Sequence, residues 1–167
     1  VALAVTAIGK DARDVAGYNL LLPLGDYEKT VYQGVNGAIF ALLALDAGRY
    51  EVPVNADAKT QATRELYVQK ILGSQLSDGG WNIAGTAADA DLTAMALQAL
   101  AGYTVQTSVK AAVEKGVAAL SKIQGADGGF STGGAETCES NAQVLVALAE
   151  LGISLDDSRF VKNGNTA

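Results

Sequence analysis

The chain has 167 residues, of which 49% are apolar, 18% charged and 6% aromatic, enough apolar material for one domain with a core and too little polarity for disorder. A net charge of −6 with no basic run argues against a nucleic-acid or phosphate-binding surface. There is no histidine and a single cysteine, Cys138, which excludes a Ser-His-Asp or Cys-His site and an internal disulfide within this chain, and the longest apolar run, 38–45, is too short to span a bilayer.

In chain order, Val1–Ile8 reads as an apolar helix ending at Gly9, a residue suited to the position just past a helix. Residues 10–15 form a polar turn, and 17–23, with Tyr18 and Leu20 to Leu22, reads as a short helix stopped before Pro23. Asp26 opens another short helix, 26–33, as its N-cap, with Glu28 in the first turn, and Gly34 to Gly37 breaks it. Residues 38–47 (AIFALLALDA) are apolar on nearly all faces, which predicts burial on nearly all faces, and Gly48 ends them. After a loop containing Pro53, residues 56–75 read as an amphipathic helix. Ala62, Leu66, Val68, Ile71 and Leu72 carry its apolar side, and Lys59, Arg64, Glu65, Gln69 and Lys70 lie largely opposite.

Residues 91–101 are a second apolar helix with Asp91 as N-cap, and Gly102 lies just past its end. Residues 107–124 are amphipathic, with Val109, Ala112, Val113, Val117, Leu120 and Ile123 against Lys110, Glu114, Lys115 and Lys122. Residues 140–151 are another apolar helix, ended by Gly152; Asp156–Phe160 adds one turn, and the tail 163–167 is expected to fray.

The chain is punctuated by Gln75-Leu76-Ser77-Asp78-Gly79-Gly80-Trp81, which returns as Gln124-Gly125-Ala126-Asp127-Gly128-Gly129-Phe130. Each copy follows an amphipathic segment and precedes an apolar one. Glycine permits positive φ and Asp bonds nearby amides, so the copies read as joints, with Gln75 and Gln124 tying helix ends and Trp81 and Phe130 wedged between hairpins. Two alternating helix types imply apolar inner helices shielded by amphipathic outer ones. The fold class is all-α, a stack of roughly seven or eight helices in hairpins.

Gln-x-x-Asp-Gly-Gly-Trp at 75–81, with its Phe-ended copy at 124–130, resembles the QW repeat of the prenyltransferase and squalene-hopene cyclase superfamily, whose fold is an α/α-toroid. Residues 36–46 (NGAIFALLALD), the Asp-Gly-Gly-Trp turn and residues 91–100 (DLTAMALQAL) are similar to its non-catalytic branch: repeat domains of secreted bacterial surface proteins, related in turn to the cobalamin carriers intrinsic factor and transcobalamin. The resemblance implies a single toroid-type domain over 1–167, incomplete and a fragment of a larger protein. It implies a secreted or cell-surface, non-catalytic module that binds a small molecule, glycan or protein. Among these a cobalamin-like ligand rests on the resemblance alone; no metal or other cofactor is expected. Further segments or a partner chain would cover the open ends of such a stack.

If the inner helices run parallel, their N-termini gather at one end. The candidate ligand rim is then Gln33, Asn36, Trp81, Asn82, Asp89, Asp91, Glu136, Glu139 and Asn141, with Cys138 and Ser140 beside it. Residues 89–94 (DADLTA) resemble the Asp-x-Asp-Asp-Thr-Ala motif of class II terpene cyclases, in which Asp91 would be the general acid with Asp89 as its neighbour. That alternative makes the chain part of a cyclase or prenyltransferase-type enzyme. Leu92 stands where the motif has its last Asp, and aromatics to stabilise carbocations are few. Glu136-Thr137-Cys138 falls near the Asp-x-Cys zinc pair of protein prenyltransferases, whose third ligand is a histidine that this chain lacks. A structural reading makes Cys138 a small buried or half-buried residue at a helix start.

Overall fold

The computed structural model describes residues 1–132 and 134–166, with the side chains of Thr132, Ala135 and Glu136 outside that description. It is helical, and the chain divides into two compact units, Val1–Gly73 and Ser74–Ala167. Seven α-helices and one two-stranded hairpin occur among the described residues.

The first unit holds α1 (Ala2–Ala7), α2 (Tyr27–Thr30), α3 (Val35–Ala47) and α4 (Arg64–Gly73). Helix α3 is its centre. Val35, Ala38, Ile39, Ala41, Leu42, Ala44 and Leu45 are buried, as an all-round apolar sequence requires, and α1 and α4 pack against it. It begins earlier than expected, because Gly34 alone makes the break and Val35, Asn36 and Gly37 are already helical. Its end is also shifted by one residue. Gly48 has φ −108°, and Arg49 takes the left-handed turn at φ +52°, with the Tyr50 N–H donating to the Leu45 carbonyl at 2.8 Å. Helix α1 resembles α3 in sequence yet buries none of its residues, since within the unit it has α3 on one side only.

Three further expectations for this unit change. Residues 17–21 form no helix, and Val15 and Tyr18 close a two-residue turn with positive φ at Ala16 and Gly17. Pro23 does not stop a helix; it sits within the 3-10 turn Leu22–Gly25, near its start, where its missing N–H is not needed. The amphipathic helix begins at Arg64, not Ala56. Thr63 caps it, its Oγ accepting from the Leu66 N–H at 3.2 Å. Upstream, polar side chains divert the backbone into a loop: Asn55 Oδ1 accepts from the Asp57 N–H, and Gln61 bonds the Asn55 N–H and the Pro53 carbonyl. Tyr67, left out of the expected apolar side, is fully buried with its hydroxyl donating to the Leu24 carbonyl at 2.6 Å.

The second unit holds α5 (Ala90–Leu100), α6 (Thr107–Ile123), β1 (Ser131–Thr132), β2 (Ala135–Glu136) and α7 (Cys138–Glu150). Helix α5 is central here, packed against both α6 and α7, with Leu92, Ala94, Ala96, Leu97, Ala99 and Leu100 among its buried residues. Gln98 of α5 ties α7 by donating to the Gln143 carbonyl and to its Oε1, at 3.1 and 3.0 Å. Helix α6 buries the expected apolar stripe except Ile123, which stays 36% exposed at its last position. Helix α7 starts two residues before the expected Ser140, because Thr137 caps it by accepting from the Ser140 N–H. β1 and β2 pair antiparallel, a short departure from the all-helical expectation. The tail does not fray up to Thr166: Lys162 and Asn165 exchange backbone hydrogen bonds at 2.8 Å across Asn163 and Gly164, a turn like that at Val15–Tyr18. Ala167 lies outside the described residues.

Gly79 and Gly128 set the limits on the two joints. Both have strongly positive φ, +94° and +93°, and a Cβ there would lie 2.8 Å from the Lys115 carbonyl oxygen or 2.6 Å from that of Thr166. Gly79→Ala therefore combines left-handed strain with a backbone clash and should cost about 2 kcal/mol or more. Gly152→Ala, at φ +66° with open space around it, should cost about 1 kcal/mol. Urea melts of the two variants beside the parent chain check the difference.

Candidate functional site

Each Gln-x-x-Asp-Gly-Gly-aromatic copy folds into the same tight loop. The Leu76 N–H donates to the Gly80 carbonyl and the Gly79 N–H to that of Leu76; Gly125, Gly128 and Gly129 repeat both bonds. The glutamine then reaches out of the loop. Gln75 Nε2 donates to the Gly79 carbonyl and to Ala112 in α6, both at 2.8 Å. Gln124 Nε2 donates to the Gly128 carbonyl at 2.8 Å and to Phe160 at 2.9 Å. Each amide thus fastens its own glycine turn to the next outer segment, rather than tying helix ends as the sequence suggests. The Gln124 Oε1 is buried without a partner.

The aspartates of the joints work on backbone amides. Asp78 accepts from the Gly80 N–H through Oδ1 and from the Ala88 N–H through Oδ2, at 3.1 and 2.6 Å. These amides, Ala88 first, hold its carboxyl below its ordinary value of 3.8. Asp127 repeats the first of these bonds with Gly129.

The aromatics lead into the following helices. Trp81 is fully buried; its N–H donates to Thr93 Oγ1 at 2.9 Å, and that hydroxyl donates back to the Trp81 carbonyl at 3.2 Å. Gly116 in α6 makes room for the ring, since a Cβ there would lie 2.8 Å from it. Phe130 is buried likewise, and its N–H donates to Asn141 Oδ1 at 2.7 Å. Thr93 and Asn141 sit at equivalent places, four residues after the cap of α5 and of α7. Thr93 was not foreseen as an anchor, although it follows Asp89 at the spacing at which Asn141 follows Thr137.

The remaining rim candidates fall as follows. Asp89, not Asp91, is the N-cap of α5: it has extended φ and ψ, and its Oδ1 accepts from the Leu92 N–H at 2.9 Å. Asp91 lies in the first turn, half-buried, with one buried carboxyl oxygen, Oδ1, lacking a hydrogen-bond partner. Asn82 is spent on its own loop, accepting from Ala84 and Gly85 and donating to the Ala87 carbonyl. Glu139 is exposed in the first turn of α7. Cys138 is exposed too, against the expectation of a buried or half-buried thiol, because the cap at Thr137 places it first on the helix. Glu136 belongs to β2, and its side chain lies outside the described residues. In the first unit, Gln33 is exposed in the 3-10 turn Val31–Gln33, and Asn36 lies half-buried in the first turn of α3 with its Oδ1 unpartnered.

The rim residues of the second unit that are brought together are thus tied chiefly to backbone. Among the described residues no group of three or more His, Cys, Asp or Glu is arranged to hold a metal ion, and no helix is long and apolar enough to cross a membrane.

The first unit carries a groove of about 520 Å3 lined by Leu3, Leu20, Leu24, Tyr32, Phe40 and Ala44, among others. Tyr32 is 88% and Phe40 43% exposed. Phe40 thus departs from the burial on nearly all faces that its all-apolar helix predicts.

No family model, no curated protein and no solved structure matches the chain.

The two aspartates before Leu92 should separate by mutation. Asp89→Ala removes the cap and should destabilise the second unit by about 1 kcal/mol. Asp91→Asn removes only a first-turn charge and should cost less than about 1 kcal/mol. Denaturant unfolding of both variants tests the assignment.

Proposed function

We propose that the chain is a non-catalytic binding or interaction module, part of an α/α-toroid related to the prenyltransferase and terpene-cyclase superfamily. In this reading it belongs to a secreted or surface-attached bacterial protein. One observation carries the non-catalytic part. At the helix starts, where such enzymes need a free acid or a set of ligands, the polar groups of Asp78, Asn82, Asp89, Thr93, Thr137 and Asn141 are bonded mainly to backbone. A side chain so engaged shapes a turn and has little left for a substrate. The apolar groove of the first unit supports the binding part. Its volume of about 520 Å3 lies within the range of small-molecule sites, and it presents exposed aromatic surface. The ligand class is a small molecule, a glycan or a protein surface, with a corrinoid suggested by family resemblance.

One observation favours a second reading, a cyclase-type enzyme with Asp91 as general acid: Asp91, two residues after the capping Asp89, keeps a buried, unpartnered carboxyl oxygen. Titration calorimetry of the full-length protein against corrinoids, isoprenoid diphosphates and bacterial surface glycans, with product analysis by mass spectrometry, separates the two. The binding reading expects a bound ligand recovered unchanged and an Asp91→Asn variant that binds equally well. Turnover of an isoprenoid that Asp91→Asn abolishes would establish the enzyme instead.

A further inference from the structure

Residues 53–62 run along the 3-10 turn Leu22–Gly25 and the start of α2 as a strap. Its backbone fastenings are short. The Ala62 N–H donates to the Gly25 carbonyl at 2.8 Å, and the Tyr27 N–H donates to the Thr60 carbonyl at 3.1 Å. Asn55 Nδ2 reaches the Leu22 carbonyl at 3.3 Å. The approach is so close that a Cβ on Gly25 would strike the Pro53 carbonyl oxygen. Gln61 keeps the strap in shape, accepting from the Asn55 N–H and donating to the Pro53 carbonyl, both at 3.0 Å. Asn55 and Asp57 of the strap form one wall of a cleft of about 310 Å3; Leu22, Pro23, Asp26 and Lys29 form the other.

An ionisable side chain joins these fastenings. Glu28 offers both carboxylate oxygens to one strap residue: Oε2 accepts from the Thr60 N–H at 3.0 Å and Oε1 from the Thr60 hydroxyl at 2.5 Å. We propose that Glu28 is an acid-released latch, which holds the strap at Thr60 while ionised and slackens it, opening the cleft wall, when protonated. A proton on Oε2 removes the acceptor of the Thr60 N–H. A proton on Oε1 replaces a charge-assisted bond by a neutral one, of roughly half the strength.

The charged surroundings are consistent with this role. From the strap, Thr60 and then the Lys59 cation hold the Glu28 carboxyl below its ordinary value of 4.5. On the helix itself Lys29 is engaged by Asp26, at 2.9 Å, and also feels Asp57 of the strap. Tyr67 of α4 faces Asp26 and also Tyr27 of α2, with ring centroids 5.9 Å apart. Asp26, almost fully buried, is also held below its ordinary value, but by Lys29 on its own helix. A carboxyl with a lowered folded value contributes stability above its unfolded value and loses it as pH falls through the folded one. The latch is therefore closed at neutral pH and loosens below about 4.5.

Amide hydrogen exchange by NMR on the whole chain, from pH 7 down to about pH 4 or slightly below, tests the latch, with rates corrected for intrinsic chemistry. Protection of Thr60 and Ala62, relative to Leu42 in α3, should fall severalfold on acidification. In Glu28→Gln, whose side chain can still accept from the Thr60 N–H, that ratio should stay flat. In Asp26→Asn the fall should persist. A flat ratio in the parent chain, an equal fall in Glu28→Gln, or loss of the fall in Asp26→Asn would each overturn the proposal.

Discussion

A glutamine amide with two protons, aimed at two carbonyls, is the interaction on which the second unit depends. Gln75 and Gln124 each spend one proton on their own glycine turn and the other on an outer segment, Ala112 in one case and Phe160 in the other. A backbone carbonyl left alone in a buried tight turn would cost about 1–3 kcal/mol, and the amide satisfies that of Gly79 or Gly128 while its second bond fixes the distance to the outer segment. The left-handed glycine of each turn then lies against a carbonyl of the same outer segment, Lys115 or Thr166, where no side chain fits. The aromatic that follows each turn is fully buried, Trp81 and Phe130 alike. The outer partner is a helix in the first instance and a turn-rich tail in the second, so the joint recognises carbonyl positions rather than a type of secondary structure.

The polar groups around the joints follow from the same constraint. A helix that starts beside a buried turn leaves amides without intrahelical acceptors, and the nearby Asp, Asn and Thr side chains supply them. Asp89 and Thr137 cap, Thr93 and Asn141 receive the aromatic residue's N–H, and Asp78 closes the loop. Groups that resemble an acid-base cluster on paper are thus largely engaged by the backbone. Glu28 in the first unit does similar work for a loop, with the difference that its partner lies more than thirty residues away, on a strap that has no helix to hold it.

A second repeated device is written in the sequence outside its apolar pattern. Asp11-x-Arg13 follows α1, and Asp157-x-Arg159 follows α7. In each the guanidinium bonds both carboxylate oxygens, and the arginine's own N–H bonds the same Asp. A two-residue positive-φ turn comes next in both places, at Ala16-Gly17 and Asn163-Gly164. Both carboxyls are pulled down to about 2 by the arginine. The spacing Asp-x-Arg after a helix-ending glycine is a local signal, since every bond in it lies within three residues. It leaves no trace in apolar periodicity, to which a staple of this kind contributes nothing.

The sequence by itself determined the features whose physics is local. The apolar helices α3 and α5, the amphipathic α6 and the two glycine joints all follow from residue type and spacing. Tertiary structure decided what depends on distant partners. The loop at 56–63 carries helix-forming residues, yet Asn55 and Gln61 turn its backbone locally and Gly25, Tyr27 and Glu28 hold it from a distance, and the distant part is what no local pattern reveals. Asp89 rather than Asp91 became the cap because the Trp81 carbonyl and the Thr93 hydroxyl fix where α5 begins. The burial of apolar helices was decided in the same way: α1 and α3 look alike as strings, but within the first unit α3 packs against α1, α2 and α4, whereas the helix contacts of α1 fall chiefly on α3. Hydrophobic burial is a property of the neighbours a helix has, and those are set by the packing of the whole unit.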